Sequence, residues 1–330
     1  MSHTVRWGIL STANIGRAAV IPAIHQSSNG EVLAVASRDA QRAQQFAAAN
    51  AIPHAHGSYQ ALLQDEQIDA VYIPLPNSLH RDWTIRAVEA GKHVLCEKPL
   101  GLSAAECDAM ATAAETAGVA CMEAFMYRFH PRIDRVLDLI AQGAIGALRS
   151  VYAVFTFKVT KPDNIRLSPE LGGGALMDVG CYCINVGRTI MRSEPKEVHA
   201  VALWTDRGVD ERMVGMLRFE GGLVVQFDCA LSLERSECFR VAGTDGHLAV
   251  TNAYLPGTAD VTIEEYHGTR VRTSHSVPGV DEYQLMVEHF AECALSGTPV
   301  RYPLSEAAAN MRVIEALYRS ARNGGNPEFV

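Results

Sequence analysis

Over its first 125 residues the chain alternates between short apolar runs and stretches of helical pattern, an order that few folds accommodate. The runs "TVRWGIL", "EVLAVAS", "AVYIPLP", "KHVLCE" and "VACMEAF" are rich in Val, Ile and Leu at neighbouring positions, as strands buried on both faces are. Between them lie "DAQRAQQFAAAN", "NSLHRDWTIRAVEAG" and "SAAECDAMATAAETAG". The last two end at Gly91 and Gly118, and Ser103 is placed to cap the third. Strands alternating with helices of this length predict a parallel, doubly wound sheet with helices on both faces.

Beyond residue 125 the texture changes. A helix, "HPRIDRVLDLIAQG", precedes the long strand "ALRSVYAVFTFKV", and a glycine-rich stretch, "GGGALMDVGCYCINVGR", follows it. From about 196 to 276 come alternating strands, with hairpin turns at "EGG" (220–222) and "TDG" (244–246). Two helical segments, 281–296 and 303–323, close the chain. The expectation is an α/β domain over 1–125, then an α+β domain over 126–330 built on a large open antiparallel sheet. At 330 residues the chain is long enough to bury both cores.

Composition narrows the function. The net charge is -8 and no Lys/Arg cluster stands out, which argues against nucleic acid or an anionic membrane as partner. No apolar run is long enough to span a bilayer. Eight cysteines, none in a C-x-x-C pair, and an opening "MSHTVRWGIL" that runs straight into a strand point to a reducing cytoplasm.

The first strand leads into "GILSTANIGR". A dinucleotide site needs a strand, a tight turn and a helix whose first N–H groups meet the pyrophosphate. Gly8 and Gly16 suit that role, but Ser11 and Ala13 stand where two glycines of the usual turn would be, so the residues alone also fit an ordinary strand-to-helix turn. The context favours the cofactor, with Ser11, Thr12, Ala13, Asn14 and Ile15 facing its phosphates. Pro22 is expected to split the helix. The second strand ends at Ser37 and Arg38, with Arg42 a helical turn on. A guanidinium suits the 2′-phosphate of NADP, whereas NAD is usually gripped there by Asp or Glu, so NADP is expected over NAD.

At "GKHVLCEKPLG" a more specific pattern appears. Lys98, flanked by Glu97 and Pro99, falls at the C-terminal end of a strand, where open α/β sheets bind ligands. "EKP", the preceding "VYIPLPNSLH" and the later glycine-rich helix together resemble the glucose–fructose oxidoreductase/inositol dehydrogenase/rhizopine catabolism family over essentially the whole chain. The resemblance implies a Rossmann domain and a sheet domain for substrate binding and oligomerisation, with oxidoreductase activity on sugars, polyols and related alcohols. It implies that Lys98 is catalytic and its bond to Pro99 cis. It also implies that Leu75, Pro76, Asn77 and His80 lie beside the nicotinamide ribose, that Glu97 binds the cofactor, and that Arg128 approaches the nicotinamide end or the substrate.

Many members carry Asp-x-Gly-x-His on the glycine-rich helix; here the pattern is Asp178-Val-Gly-Cys-Tyr182. That departure resembles the subgroup of dimeric dihydrodiol dehydrogenase and NADP-dependent D-xylose dehydrogenase. Asp178, Tyr182 and Asn185 share one helical face among apolar neighbours, and a polar stripe on a buried helix needs a reason. Cys181 and Cys183, two residues apart, point to opposite sides and cannot chelate one ion, so no metal is expected. Tyr182 is the expected acid/base, its phenolate favoured by the Lys98 ammonium. Asp178, Asn185 and, on the loop "KPDNIRLSPE", Arg166 are the expected substrate contacts. Apolar residues at both alternating phases of "GLVVQFDCAL" and "VYAVFTF" predict a homodimer or tetramer through the sheet. A cofactor-retaining NAD-dependent glycoside hydrolase and a non-catalytic NADP sensor remain as other readings.

Overall fold

The computed structural model describes residues 4–330. The chain divides into two compact units. One comprises residues up to Phe129 together with Asp281–Ala308; the other comprises His130–Val280 and Ala309–Val330. The division expected at 125 thus lies near 129, and residues 281–308, expected with the second domain, pack with the first. The reason is apolar burial: Met286, Val287 and Phe290 point inward, and Phe290 lies 5.4 Å from the ring of Trp7, which is fully buried.

The first unit is a six-stranded parallel sheet of β1 (Val5–Leu10), β2 (Gly30–Ala36), β3 (His54–His56), β4 (Ala70–Ile73), β5 (His93–Cys96) and β6 (Cys121–Glu123). Its order, β3-β2-β1-β4-β5-β6, reverses direction between β1 and β4, the switch point where such sheets bind ligands. Five strands were legible; β3 was not, because "HAH" at a sheet edge carries no apolar run. Helices α1 (Ile21–Gln26), α2 (Ala40–Ala49), α3 (Tyr59–Leu63), α4 (His80–Glu89) and α5 (Ala104–Ala117) connect the strands. Ser103 caps α5 by accepting from the Glu106 N–H, and Gly118 ends it in the left-handed conformation. A π-helical stretch, Gly16–Val20, runs into α1 with helical backbone at Val20 and Ile21, and Pro22 sits in the first turn of α1, so the helix changes its hydrogen-bond pattern there where a kink or split was expected. Further along, α8 (Glu282–Ser296) packs on α1 and β1.

The second unit opens with α6 (Pro131–Ala141) and contains α7 (Cys181–Met191) and most of α9 (Leu304–Arg322). Its nine strands are β7 (Leu148–Lys158), β8 (Glu197–Trp204), β9 (Asp210–Arg218), β10 (Val224–Ala230), β11 (Ser232–Gly243), β12 (His247–Thr251), β13 (Val261–His267), β14 (Arg270–Val277) and β15 (Glu328–Phe329). The order is β14-β13-β12-β11-β7-β10-β9-β8-β15. Every pair is antiparallel except β7 and β10, which run parallel, so the sheet is mixed rather than wholly antiparallel. The parallel pair arises because the chain leaves β7 through α7 and returns by β8 and β9 before β10 docks beside β7. α7 packs on β7 and β10, where Val151, Ala153, Phe155, Val225, Phe227 and Cys229 are buried.

Candidate active site

The residues expected to form the site fall into two groups, one in each unit. In the first unit the chain leaves β1 through Ser11, whose φ of 150° is a backbone conformation ordinarily left to glycine. Ser11 therefore does the work of the glycine expected there. Its hydroxyl donates to the Pro74 carbonyl at 3.1 Å and accepts from the Ala13 N–H at 3.2 Å, which fixes the turn. Among the described residues no side chain accepts from the N–H groups of Asn14, Ile15 or Gly16. A helix start left open in this way suits an anion. Thr12 and Ala13 are partly exposed beside it, while the Asn14 amide oxygen accepts from Arg17 at 2.7 Å. Gly8, by contrast, lies within β1, and a Cβ there would meet Leu62 Cδ2 at 2.6 Å. Gly8 serves strand–helix packing.

At the end of β2, Ser37 is buried and its hydroxyl accepts from the Asp39 N–H, while Arg38 and Arg42 are exposed. The Tyr59 hydroxyl accepts a hydrogen bond from Arg38, and both guanidinium groups offset the rise that burial imposes on the Tyr59 pKa. Tyr59 was missed in the sequence because α3 is a single short turn with no periodicity. These residues fit a 2′-phosphate: two cations, a hydroxyl and a phenol at the tip of β2.

Lys98 follows β5, half-buried, and its bond to Pro99 is cis, as expected. The segment around it is tied down by buried polar groups. Glu97 accepts from the Tyr72 hydroxyl at 2.5 Å and from the Lys98 N–H at 3.3 Å. The Leu100 N–H donates to Glu123 at 2.8 Å. His80, fully buried, sets its ring nitrogens 2.9 Å from the Pro99 carbonyl oxygen and 2.8 Å from that of Leu75. Burial pushes the His80 pKa down, against the pull of those carbonyls. Both ring nitrogens thus face backbone carbonyl oxygens, and the one that carries the proton donates to its carbonyl, so His80 is packed beneath the Leu75 and Pro99 turns. Pro76 and Asn77 are partly exposed on the turn that it braces. Arg128 is buried, its guanidinium 3.5 Å from the centroid of the Tyr302 ring and 3.5 Å from Glu306, so local packing already occupies it.

In the second unit the glycine-rich stretch becomes a π-helical turn, Leu176–Gly180, that runs on into α7. Asp178 sits in the π turn and Tyr182 and Asn185 in α7, so the shared face is built across a junction of two helix types. Tyr182 is buried, packed edge-on to Phe155 and tilted against Tyr254, each at 5.3 Å between ring centroids. Asp178 is partly exposed and accepts from Arg166 Nε at 2.6 Å; the two expected substrate contacts are an ion pair. Asn185 is fully buried. The glycines before the helix have distinct reasons. A Cβ at Gly173 would lie 2.4 Å from the Arg166 carbonyl oxygen, and one at Gly174 (φ +132°) 2.2 Å from Asp210.

The cysteines on α7 have separate surroundings. Cys181 donates to the Asp178 carbonyl at 3.5 Å, while Cys183 accepts from the Tyr254 hydroxyl at 3.7 Å. Burial pushes the Cys183 thiol up to about 12. No cluster of three or more His, Cys, Asp or Glu able to hold a metal occurs among the described residues.

The model of the oxidoreductase family with an NAD-binding Rossmann fold matches residues 5–125, and that of the Gfo/Idh/MocA C-terminal domain matches 133–249. The chain belongs to the Gfo/Idh/MocA oxidoreductase family. It is 43% identical over 326 residues to a D-xylose 1-dehydrogenase (NADP(+)) of Haloferax volcanii, covering 98% of this chain and 99% of that protein. To the trans-1,2-dihydrobenzene-1,2-diol dehydrogenase of Mus musculus it is 32% identical, covering 94% and 95%. The crystal structure of a 3-ketoreductase from Actinomadura kijaniata, in complex with NADP and TDP-benzene, superimposes with a TM-score of 0.92 at 29% identity, over 96% of this chain and 98% of that one. Structures of the same reductase with a tyrosine replaced by phenylalanine, and with a lysine replaced by alanine, also match. Family membership makes this chain an oxidoreductase with an NAD-binding Rossmann unit.

Proposed function

We propose that the protein is an NADP-dependent dehydrogenase or reductase acting on a CH–OH carbon of a sugar, polyol or dihydrodiol. The observation that carries this reading is Lys98, held just past the C-terminal end of β5 in the parallel sheet on a segment braced by His80, Glu97 and Glu123. NADP, when bound, supplies hydride acceptance or donation at its nicotinamide. The turn Ser11–Ile15 and the N-terminal N–H groups of its helix hold the pyrophosphate. Ser37, Arg38 and Arg42 hold the 2′-phosphate. Leu75, Pro76 and Asn77 line the nicotinamide ribose, with Glu97 and Arg128 near its end. His80 acts from behind this surface by fixing the turns.

Substrate oxidation moves a proton from the reacting hydroxyl as well as a hydride. Tyr182 takes that proton, or gives it in reduction, at its phenolic oxygen. Lys98 donates a hydrogen bond to the reacting oxygen and favours the phenolate. Asp178 and Arg166 accept from and donate to neighbouring substrate hydroxyls, and Asn185 supports the same face. The lysine and the tyrosine replaced in the Actinomadura kijaniata reductase stand as far apart in that chain as Lys98 and Tyr182 do here, which supports the pairing. The xylose and dihydrodiol dehydrogenases among its relatives support the substrate class and, in the first case, the cofactor.

All eight cysteines are free thiols, in keeping with a reducing cytoplasm, and no helix among the described residues is long and apolar enough to cross a membrane. Tyr152, Val201, Leu203 and Val214 are exposed on the sheet of the second unit, which supports a homodimer, or a tetramer built from two, through that sheet. Sedimentation as a monomer at micromolar concentration would refute the assembly. The function is tested by following NADPH absorbance over a panel of aldoses, polyols and dihydrodiols. Turnover with release of NADPH supports it; hydrolysis with the cofactor retained, or binding without turnover, would replace it with one of the other two readings.

A further inference from the structure

The helix that carries Asp178 and Tyr182 begins without a capping residue of its own: Gly172, Gly173, Gly174 and Ala175 offer no side-chain acceptor. The cap comes from elsewhere in the second unit. Asp210, the first residue of β9, is buried and accepts from the Leu176 N–H at 2.7 Å and from the Ala175 N–H. Its other oxygen accepts from the Tyr318 hydroxyl of α9 at 2.7 Å. Gly174 makes room for this arrangement, since a Cβ there would sit 2.2 Å from Asp210 Oδ1. One turn later the Cys181 carbonyl accepts from Asn310 Nδ2 of α9 at 3.2 Å. The start of the helix is therefore fixed by groups that contribute nothing to its surface.

We infer that Asp210, held by Tyr318, is a positioning residue for Asp178 and Tyr182, capping their helix from a neighbouring strand. The inference rests on the reading of Asp178 and Tyr182 given above. Its physical basis is the junction at Leu176–Gly180: a π turn is seldom stable by itself, and a shift there moves Asp178 first and Tyr182 next. A buried carboxylate on the N–H groups of Ala175 and Leu176, with its second oxygen on a phenol, resists such a shift because moving the helix start would leave its buried charge short of donors.

The groups facing Asp210 are Tyr318 from α9, with Arg322 beyond its ring, Cys229 from β10, and the N–H groups of Ala175 and Leu176. Burial pushes the Asp210 pKa up to about 6, against those hydrogen bonds. Above that pH the carboxylate accepts from Ala175, Leu176, Tyr318 and its own N–H; below it, a proton occupies one acceptor and the cap weakens. The sign for stability is opposite. A carboxyl whose pKa is higher in the fold than in the unfolded chain favours the fold as the pH drops from about 6 toward 4. Acidification through this window is thus expected to lower turnover without loss of stability from this group, a split that a purely structural residue would not give.

The test uses the full-length protein and its Asp210→Asn and Tyr318→Phe variants, with the best substrate of the panel. NADP affinity is expected to be unchanged, since Asp210 belongs to the other unit. Turnover of Asp210→Asn should fall roughly 10- to 100-fold, the scale of a misplacement of about 1 Å. Tyr318→Phe should fall less. The acid limb near pH 6 should be present in the wild type and absent from Asp210→Asn. Hydrogen exchange over residues 172–182 should accelerate in both variants. Wild-type turnover with an unchanged acid limb in Asp210→Asn would overturn the positioning role, and unchanged exchange would overturn the cap. If the wild type turns over no member of the panel, the proposed substrate class falls, and exchange alone decides the cap.

Discussion

Two helices in this protein begin after a glycine- or serine-rich turn and open with a five-residue π-helical segment, one at Gly16–Val20 and the other at Leu176–Gly180. Their N-termini are used in opposite ways. In the first, the N–H groups of Asn14, Ile15 and Gly16 have no side-chain acceptor among the described residues. In the second, Asp210 occupies the corresponding N–H groups. A helix start has a partial positive charge, and an anion either comes from the protein or from a ligand. The open start can therefore receive a pyrophosphate, while the filled one serves to aim the side chains along its own helix. Glycine-rich sequence alone does not distinguish the two; the position of one buried aspartate does.

This contrast can be broken by substitution. The largest effect is expected for Lys98→Ala, which removes the charge at the C-terminal end of β5: turnover should drop by about 10²–10⁴ with the fold intact. Circular dichroism and NADPH absorbance would check both parts, and a loss below tenfold would remove Lys98 from the chemistry. Next, Gly174→Ala should destabilise by roughly 2–4 kcal/mol in chemical denaturation, since the new Cβ meets Asp210 in a strained backbone region. Arg38→Ala follows, weakening NADP binding by about 1.5–3 kcal/mol and leaving NAD binding nearly unchanged. Equal losses for both cofactors by titration calorimetry would defeat the 2′-phosphate assignment.

At the small end, Gly16→Ala is the counterpart of Gly174→Ala. Its Cβ would meet nothing closer than Tyr72 at 3.7 Å, and its backbone is helical. Stability should stay the same or rise by up to about 1 kcal/mol, from helix propensity. A loss of several kcal/mol would show that this turn, too, is built around its glycine. Cys181→Ala and Cys183→Ala should each cost only about 1–2 kcal/mol through small cavities, with turnover retained in the presence of a chelator.

Most of this architecture was legible because the strands of the first unit are continuous apolar runs, those of the second alternate, and Gly91 and Gly118 mark the ends of α4 and α5. The exceptions have physical causes. β3 and α3 are too short to show a period, and Tyr59 was lost with them. The return of residues 281–308 to the first unit depends on Phe290 meeting Trp7, a contact between distant parts of the sequence. The parallel pairing of β7 with β10 is a matter of docking order, which strand patterning does not encode. For the site, the residue types at Lys98, Asp178 and Tyr182 could be read, but not what holds them. The family resemblance puts His80 beside the nicotinamide ribose, but nothing in the sequence shows that its ring nitrogens face the Leu75 and Pro99 carbonyls. Asp210 opens a strand that was legible, but it lies 34 residues from the N–H that it caps.

The central claim is that Tyr182 moves the proton while the first unit holds the cofactor, and Tyr182→Phe tests it most directly. The substitution removes one oxygen and keeps the ring that packs on Phe155 and Tyr254. NADP affinity and turnover should be measured on the same preparation across the pH range. The account predicts unchanged NADP affinity, turnover lower by about 10²–10⁴, and a flattened pH dependence. Near wild-type turnover, or a loss of NADP affinity in parallel with activity, would contradict it.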